Sequence, residues 1–290
     1  MANVLITGTS SGIGLVTALE LARAGHTVFA TMRNPDGAPQ LAETARRDRL
    51  PIRIHRLDVD SDDSVSACFS EIREPIDALV NNAGVGFQGS VEEAPMESFF
   101  AAINTNYLGA VRCIKAVLPR MREARKGCIV NVSSVVGRIS MSAFGPYCAS
   151  KFALEALSEA LAGEVKPFNI RVALVEPGVQ DTRMARAMEE PQQSPYPQAR
   201  RFTGFFRAAL AHPTPPQTTA IIIRRIVESE TWQLRHLSGP DAAPFLQWRA
   251  AMSDEQWVDW NAQDDAAWYA AVERDFGIDA RPSTRSAGGA

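Results

Sequence analysis

The chain reads as an α/β protein, a doubly wound parallel sheet with helices on both faces. Three observations predict this. Apolar runs of strand length alternate with helical patterns through at least six units. Largely apolar runs such as residues 170–175 (IRVALV) suit strands covered on both faces. A glycine-rich turn joins the first run to the first helical pattern. In such a sheet ligands gather at the carboxyl ends of the strands, where Gly8, Asp58, Asn82, Ser134 and Pro177 all fall.

The first strand is predicted over residues 4–7, followed by GTSSGIG and a helix carrying Leu15, Ala18, Leu19 and Ala22 that closes at Gly25. This turn aims backbone N–H groups and the positive end of a helix dipole at an anion, most simply a pyrophosphate. Gly8 permits the tight turn, and Gly12 and Gly14 let phosphates and the next strand come close. A P-loop is rejected, because Ile13 stands where its lysine is required. Gly8-Thr9-Ser10-Ser11-Gly12 also fits the nucleophile elbow of hydrolases, with Ser10 as nucleophile, but that elbow follows several strands rather than the first. The second strand, residues 27–32, ends at Arg33 with no acid at its tip. Arg33 could pair with a 2′-phosphate and favour NADP. Asp36, slightly later, is the alternative ribose acid and would favour NAD.

A third strand over residues 51–57 ends in Asp58-Val59, and a helix follows over 61–72. A fourth strand begins at Asp77 and runs into Asn81-Asn82-Ala83-Gly84. Residues 96–121 predict one long helix with Phe100, Ile103, Tyr107, Val111, Ile114 and Leu118 on one face, interrupted by Asn104 and Asn106. An asparagine there needs a partner and often kinks or hydrates its helix. A fifth strand over 128–132 ends in Ser133 and Ser134, and a long helix opens near Tyr147. Tyr147 and Lys151 are four residues apart, which places their attachment points about 6 Å apart on one face. An ammonium beside a phenol favours the phenolate, so the pair is a proton donor in outline. Moving the phenol from about 10 to about 7 takes roughly 4 kcal/mol, more than one lysine at a wet surface supplies. A desolvated site with a cationic cofactor nearby could supply it. The sixth strand, 170–175, leads to Pro177-Gly178.

Composition excludes several classes. The chain has 290 residues, 46% hydrophobic and 22% charged, with net charge −3, which gives no electrostatic case for nucleic acid. Its four cysteines form no CxxC pair, and its four histidines have no metal-ligand spacing, so no metal is expected. No signal peptide is visible and no apolar run approaches the roughly 20 residues of a membrane span, so a cytoplasmic location with no membrane span is expected.

As a set, TGTSSGIG (residues 7–14), Asp58-Val59, NNAG (81–84), Asn106 in NYLG, Ser134, YCASK (147–151) and EPG with Thr182 resemble the short-chain dehydrogenase/reductase family, over residues 3–184. The resemblance implies a Rossmann-like sheet of about seven strands. It also implies an oxidoreductase that moves hydride between a nicotinamide and a carbonyl/alcohol pair. Tyr147 would exchange the proton, Ser134 would hold the substrate oxygen, Lys151 would lower the tyrosine pKa and bind the nicotinamide ribose, and Asn106 would hold a water in the proton path. The family's usual spacing from the tyrosine selects Ser134 over Ser133. The implied cofactor contacts begin at Gly8, Ser10, Ser11, Gly12, Ile13 and Gly14. Arg33, Asp58 and Val59 would follow at the adenosine end. Asn82, Ala83 and Gly84 would support the ribose, while Pro177, Gly178, Val179 and Thr182 would meet the nicotinamide, together with Tyr147 and Lys151. Gln180 departs from the family's usual apolar residue, and TVFATMRNP resembles the hydroxysteroid and retinol dehydrogenase branch. Family members usually pair through the helices holding Asn106 and Tyr147, which implies a homodimer or homotetramer.

One domain over residues 1–290 is expected, with a core over 1–183, a substrate lid over 184–240 and a helical C-terminal extension over 241–290 that ends in disorder from Arg281. The Trp residues at 248, 257, 260 and 268 are expected to dock the tail or face another subunit rather than a ligand. Phe144, Met141, Val85, Phe87, Val179 and Met184 flank the expected substrate end and predict a small apolar carbonyl or alcohol substrate. NADP(H) is the preferred cofactor and NAD(H) the alternative. Two rival functions are a non-catalytic dinucleotide-binding regulator and a nucleotide-sugar epimerase. The intact Ser134, Tyr147, Lys151 and Asn106 stand against the first, and the spacing of Gly12 and Gly14 differs from that of the last glycines in the second.

Overall fold

The computed structural model describes residues 1–189 and 193–282. Seven strands form one sheet: β1 (Asn3–Thr7), β2 (Thr27–Met32), β3 (Ile52–Arg56), β4 (Ala78–Asn81), β5 (Gly127–Val132), β6 (Ile170–Pro177) and β7 (Arg235–Ser238). Their order is β3-β2-β1-β4-β5-β6-β7, and every adjacent pair is parallel. The order reverses between β1 and β4, where such a sheet opens a crevice.

Alternate residues of the central strands feed separate cores, which is why those runs are largely apolar. Val4, Ile6, Val28, Val80 and Val130 face one side. That side is covered by α1 (Gly12–Arg23), α2 (Gln40–Arg47) and, much later in the chain, α9 (Pro216–Glu228). Leu5, Phe29, Leu79 and Ile129 face the other side. There α3 (Asp62–Glu71), α5 (Gly109–Ala124) and α6 (Gly145–Val165) cover them.

The expected long helix over residues 96–121 is divided. Here α4 (Met96–Ile103) leads into a π turn, Asn104–Leu108, and then into α5. A π turn admits one extra residue, and Asn106 lies in it with its amide satisfied on both sides. A short α7 (Arg183–Arg186) and α8 (Pro197–Ala209) lie in or beside the proline-rich part of the stretch expected to be a substrate lid. The many prolines there hide a helix because Pro197 stands at its first turn, where a missing N–H costs nothing.

The tail forms α10 (Ala242–Ala250), α11 (Asp254–Ala262) and α12 (Asp265–Phe276). Trp260 and Trp268 pack with Phe205 of α8 in one apolar cluster, with Trp248 and Trp257 against it. Arg201, only 2% exposed, donates to Asp265 and to the Gln263 carbonyl and lies over the Trp268 ring at 5.7 Å. The tryptophans thus dock the tail onto α8. Residues 283–290, most of the segment expected to be disordered, and Pro191 fall outside the described residues. Among the described residues no helix is long and apolar enough to cross a membrane, and no cluster of three or more His, Cys, Asp or Glu suits a metal.

Candidate active site

A cavity of about 1550 Å³ opens at the carboxyl ends of the strands. One end is built from backbone. Gly8 has φ +72°, and a Cβ added there would stand 2.8 Å from the Ala83 Cα. A Cβ on Gly14 would stand 2.3 Å from the Gly8 carbonyl oxygen and 2.4 Å from Asn82 Nδ2. Asn82 locks the turn by donating from Nδ2 to the Thr7 and Gly8 carbonyls, at 2.9 and 3.0 Å. Thr7 Oγ1 accepts from the Asn82 and Ala83 N–H groups, both at 3.0 Å. Helix α1 begins at this turn with no acid in its first turn and no side-chain cap from Ser11. Ser11, Gly12 and Ile13 line the cavity, so the uncapped helix terminus faces it. This cradle fits a pyrophosphate.

Farther along the same wall lie Ser10, Asp58, Val59, Asn82, Ala83 and Gly84. Arg33, exposed at the tip of β2, is on the rim, whereas Asp36 is not among the lining residues. Glu43 of α2 also reaches this rim. Sequence reasoning missed it, because the short amphipathic stretch over residues 40–47 carried no motif.

The opposite end holds the reactive side chains. Ser134 leaves β5 in an extended conformation, and its Oγ donates to the Pro177 carbonyl at 3.3 Å. Tyr147 and Lys151 project from the first turns of α6, and all three residues line the cavity. Lys151 Nζ donates to the Val132 carbonyl at 2.8 Å and lies 5.6 Å from the centre of the Tyr147 ring. Lys151 is 4% exposed, and burial lowers its pKa to about 8 against an upward pull from Glu155. Against the lowering expected from Lys151, burial pushes the Tyr147 phenol well above its usual value; Cys148 adds to this, and the Ser134 hydroxyl works against it. Glu155, one turn beyond Lys151, and Glu176 of β6 are both buried. They share Arg235, whose Nε lies 3.0 Å from one and 3.1 Å from the other. Burial raises the pKa of both carboxyls. Their spacing in sequence gave no sign of this pairing.

Asn106 and Gly14 stand behind the wall rather than in it. Asn106 Nδ2 donates to the Val85 carbonyl and to Ser150 Oγ, both at 2.9 Å, and its Oδ1 accepts from the Val85 N–H at 2.8 Å. Pro177, Gly178, Val179 and Thr182 line the cavity beside Tyr147. Gln180 also lines it, held from behind: it is 5% exposed, its Oε1 accepts from Thr219 Oγ1 at 3.1 Å, and Thr219 in turn meets Ser238 at 2.8 Å.

Beyond Tyr147 the wall becomes apolar. Val85, Phe87, Met141, Phe144, Val179 and Met184 all lie on it. So do Phe205 and Phe206 of α8 and Phe245 and Phe276 of the tail. The phenylalanines of the C-terminal region, rather than its tryptophans, reach the cavity.

A family model described as short chain dehydrogenase matches residues 2–193. A 3-ketodihydrosphingosine reductase of Bacteroides thetaiotaomicron is 44% identical over 178 residues, 60% of this chain and 62% of that protein. The match thus spans about three fifths of that relative's length. Retinol dehydrogenase 8 of Bos taurus is 38% identical over 264 residues, 85% of this chain and 84% of that protein. A solved structure of a short-chain dehydrogenase from Streptomyces avermitilis has a TM-score of 0.76 at 32% identity, covering 90% of this chain and 97% of that one.

Proposed function

The chain belongs to the short-chain dehydrogenase/reductase family, and from that premise we propose that it is an NADP(H)-dependent oxidoreductase that interconverts an apolar ketone or aldehyde and its alcohol. The observation that carries this reading is the meeting of Ser134, Tyr147 and Lys151 in the cavity whose far end is the glycine cradle.

A bound nicotinamide would supply or take up hydride. The chain's own residues manage the oxygen and the proton. In reduction, Ser134 Oγ donates to the substrate carbonyl oxygen, and the Tyr147 hydroxyl gives that oxygen its proton as hydride reaches the carbon. Oxidation reverses both transfers. Burial keeps the phenol protonated, and the charges of Lys151 and of a bound nicotinamide would lower its pKa so that the proton can be given up. Lys151, still mostly charged at neutral pH, sits where it would stabilise the phenolate left behind and hold a ribose. Both amide hydrogens of Asn106 are committed to Val85 and Ser150. It would therefore bind a water through a spare lone pair of Oδ1 or its main-chain carbonyl.

The Arg33 guanidinium on the rim favours a 2′-phosphate. NAD(H) is the second reading, favoured by Glu43 on the same rim rather than by Asp36. The size of the cavity, about 1550 Å³, and its phenylalanines and methionines favour a bulky apolar substrate over the small one expected from the sequence, in line with the hydroxysteroid and retinol dehydrogenase resemblance. Residues 184–240, with Phe276 from the tail, would form the substrate region. Phe100 and Phe152, exposed on α4 and α6, support a homodimer through those helices.

The test is a fluorescence titration with NADPH and NADH, on the wild type and on Arg33→Ala. The expected result is NADPH binding at least about tenfold tighter in the wild type, with that margin lost in the variant. Equal or better NADH binding moves the assignment to NAD and to Glu43. Failure of both to bind overturns the oxidoreductase reading.

A further inference from the structure

The loop at the nicotinamide end is anchored almost residue by residue to the C-terminal part of the chain. Gly178 N–H donates to the Ser238 carbonyl at 2.9 Å, and Asp181 N–H donates to the Thr214 carbonyl at 2.9 Å. Between them, Val179 N–H donates to Asp241 Oδ2 at 2.7 Å. This is the one of the three anchors that uses a side chain. The surroundings are shaped around that carboxylate. A Cβ on Gly178 would stand 2.3 Å from both Asp241 oxygens, and one on Gly239, whose φ is +99°, would stand 2.6 Å from Oδ1. Only glycine at these two positions lets the carboxylate approach so closely. Asp241 Oδ1 and the nearby Gln180 Nε2 are buried without hydrogen-bond partners.

Asp241 is also the residue that opens α10, and its carbonyl accepts from the Phe245 N–H at 3.0 Å. Phe245 lines the apolar end of the cavity and packs on Phe205 and Phe276, with ring centres 6.2 and 5.4 Å apart. One residue therefore touches the loop expected to meet a nicotinamide and begins the helix that carries a substrate-facing ring.

We propose that Asp241 is a positioning residue that couples the cofactor end of the cavity to its apolar substrate end by clamping the Val179 N–H to α10. This rests on the oxidoreductase reading. Filling the cofactor end would fix the 178–181 loop, and the clamp would pass that order to Phe245. Without the clamp the two ends respond separately.

Hydrogen–deuterium exchange of the full chain, with and without NADPH, tests this. Peptides over residues 8–14 report cofactor binding on their own. In the wild type NADPH is expected to slow exchange both there and over α10. Asp241→Ala keeps the first effect and loses the second, whereas Asp241→Asn, whose amide oxygen accepts the same N–H, keeps both. In turnover Asp241→Ala raises KM for a bulky ketone about tenfold while kcat stays within about threefold, and Asp241→Asn restores KM. Asp241→Ser, one atom too short to reach, replaces the alanine variant if that one does not fold. Protection of α10 in a truncated variant equal to the wild type overturns the coupling and leaves the oxidoreductase reading standing. Absence of NADPH protection at residues 8–14 of the wild type overturns that reading, and the coupling with it.

Discussion

Lys151 Nζ sits 5.6 Å from the centre of the Tyr147 ring while donating to the Val132 carbonyl at 2.8 Å. The lysine is thus held by β5 and not by the tyrosine. Its ammonium lies over the ring face at cation–π range.

Burial of this lysine has a stability signature. Its pKa falls from 10.5 to about 8 on folding. Below about 8 both folded and unfolded states carry the charge, and the burial penalty is fully present. From about 8 to 10.5 the unfolded chain holds a proton that the folded one lacks, so stability rises with pH. At the low end of that window Lys151→Met should gain up to about 3 kcal/mol in denaturant unfolding without cofactor, and the gain should shrink towards its high end. A flat difference between the two proteins would show that Lys151 is not desolvated.

Asn106→Ala removes three hydrogen bonds at once and strands Val85 and Ser150. Stability should fall by about 2–3 kcal/mol, with kcat reduced because the 82–85 wall of the cavity loosens. Chemical denaturation and steady-state rates measure both effects. Unchanged stability would show that the π turn does not depend on this side chain.

Gly14→Ala places a methyl 2.3 Å from the Gly8 carbonyl oxygen. The turn must open, at a cost of about 1–3 kcal/mol, and NADPH affinity should fall with it. A thermal melt and an NADPH titration check this. Retained affinity would mean that the cradle is not the pyrophosphate site.

Much of this molecule was legible in the sequence because its motifs are local. A glycine turn after a strand, or a tyrosine four residues before a lysine on a helix, fixes its own geometry. The strand ends then bring the motifs together by sheet topology alone. What was hidden depends on partners distant in the chain. The π turn at Asn106 follows from Val85 and Ser150, which no period reveals. The anchoring of Gln180 follows from Thr219 on α9. Helix α8 was masked by prolines, and the split between docking tryptophans and cavity-facing phenylalanines follows from how α8 meets the tail. The pairing of Glu155 with Glu176 depends on Arg235 of β7, far along the chain from both.

Phe206 closes the apolar end, with its ring 4.7 Å from Phe202 and 6.2 Å from Phe144. Phe206→Ala should raise KM for a bulky apolar ketone by about tenfold or more, from the lost apolar contact, and barely change KM for a small one. A kinetic comparison across ketones of increasing size measures this. A uniform effect across sizes would place the substrate elsewhere.

In the proposed reaction Tyr147 exchanges the proton that accompanies hydride transfer. The most direct test of this role is NADPH oxidation with a panel of apolar ketones and aldehydes, run on the wild type and on Tyr147→Phe, with NADPH affinity measured in parallel. Loss of the phenolic hydroxyl should reduce turnover by at least about 10²–10⁴-fold while NADPH binds within about threefold of the wild type. Turnover that survives in Tyr147→Phe at the wild-type rate would contradict the mechanism.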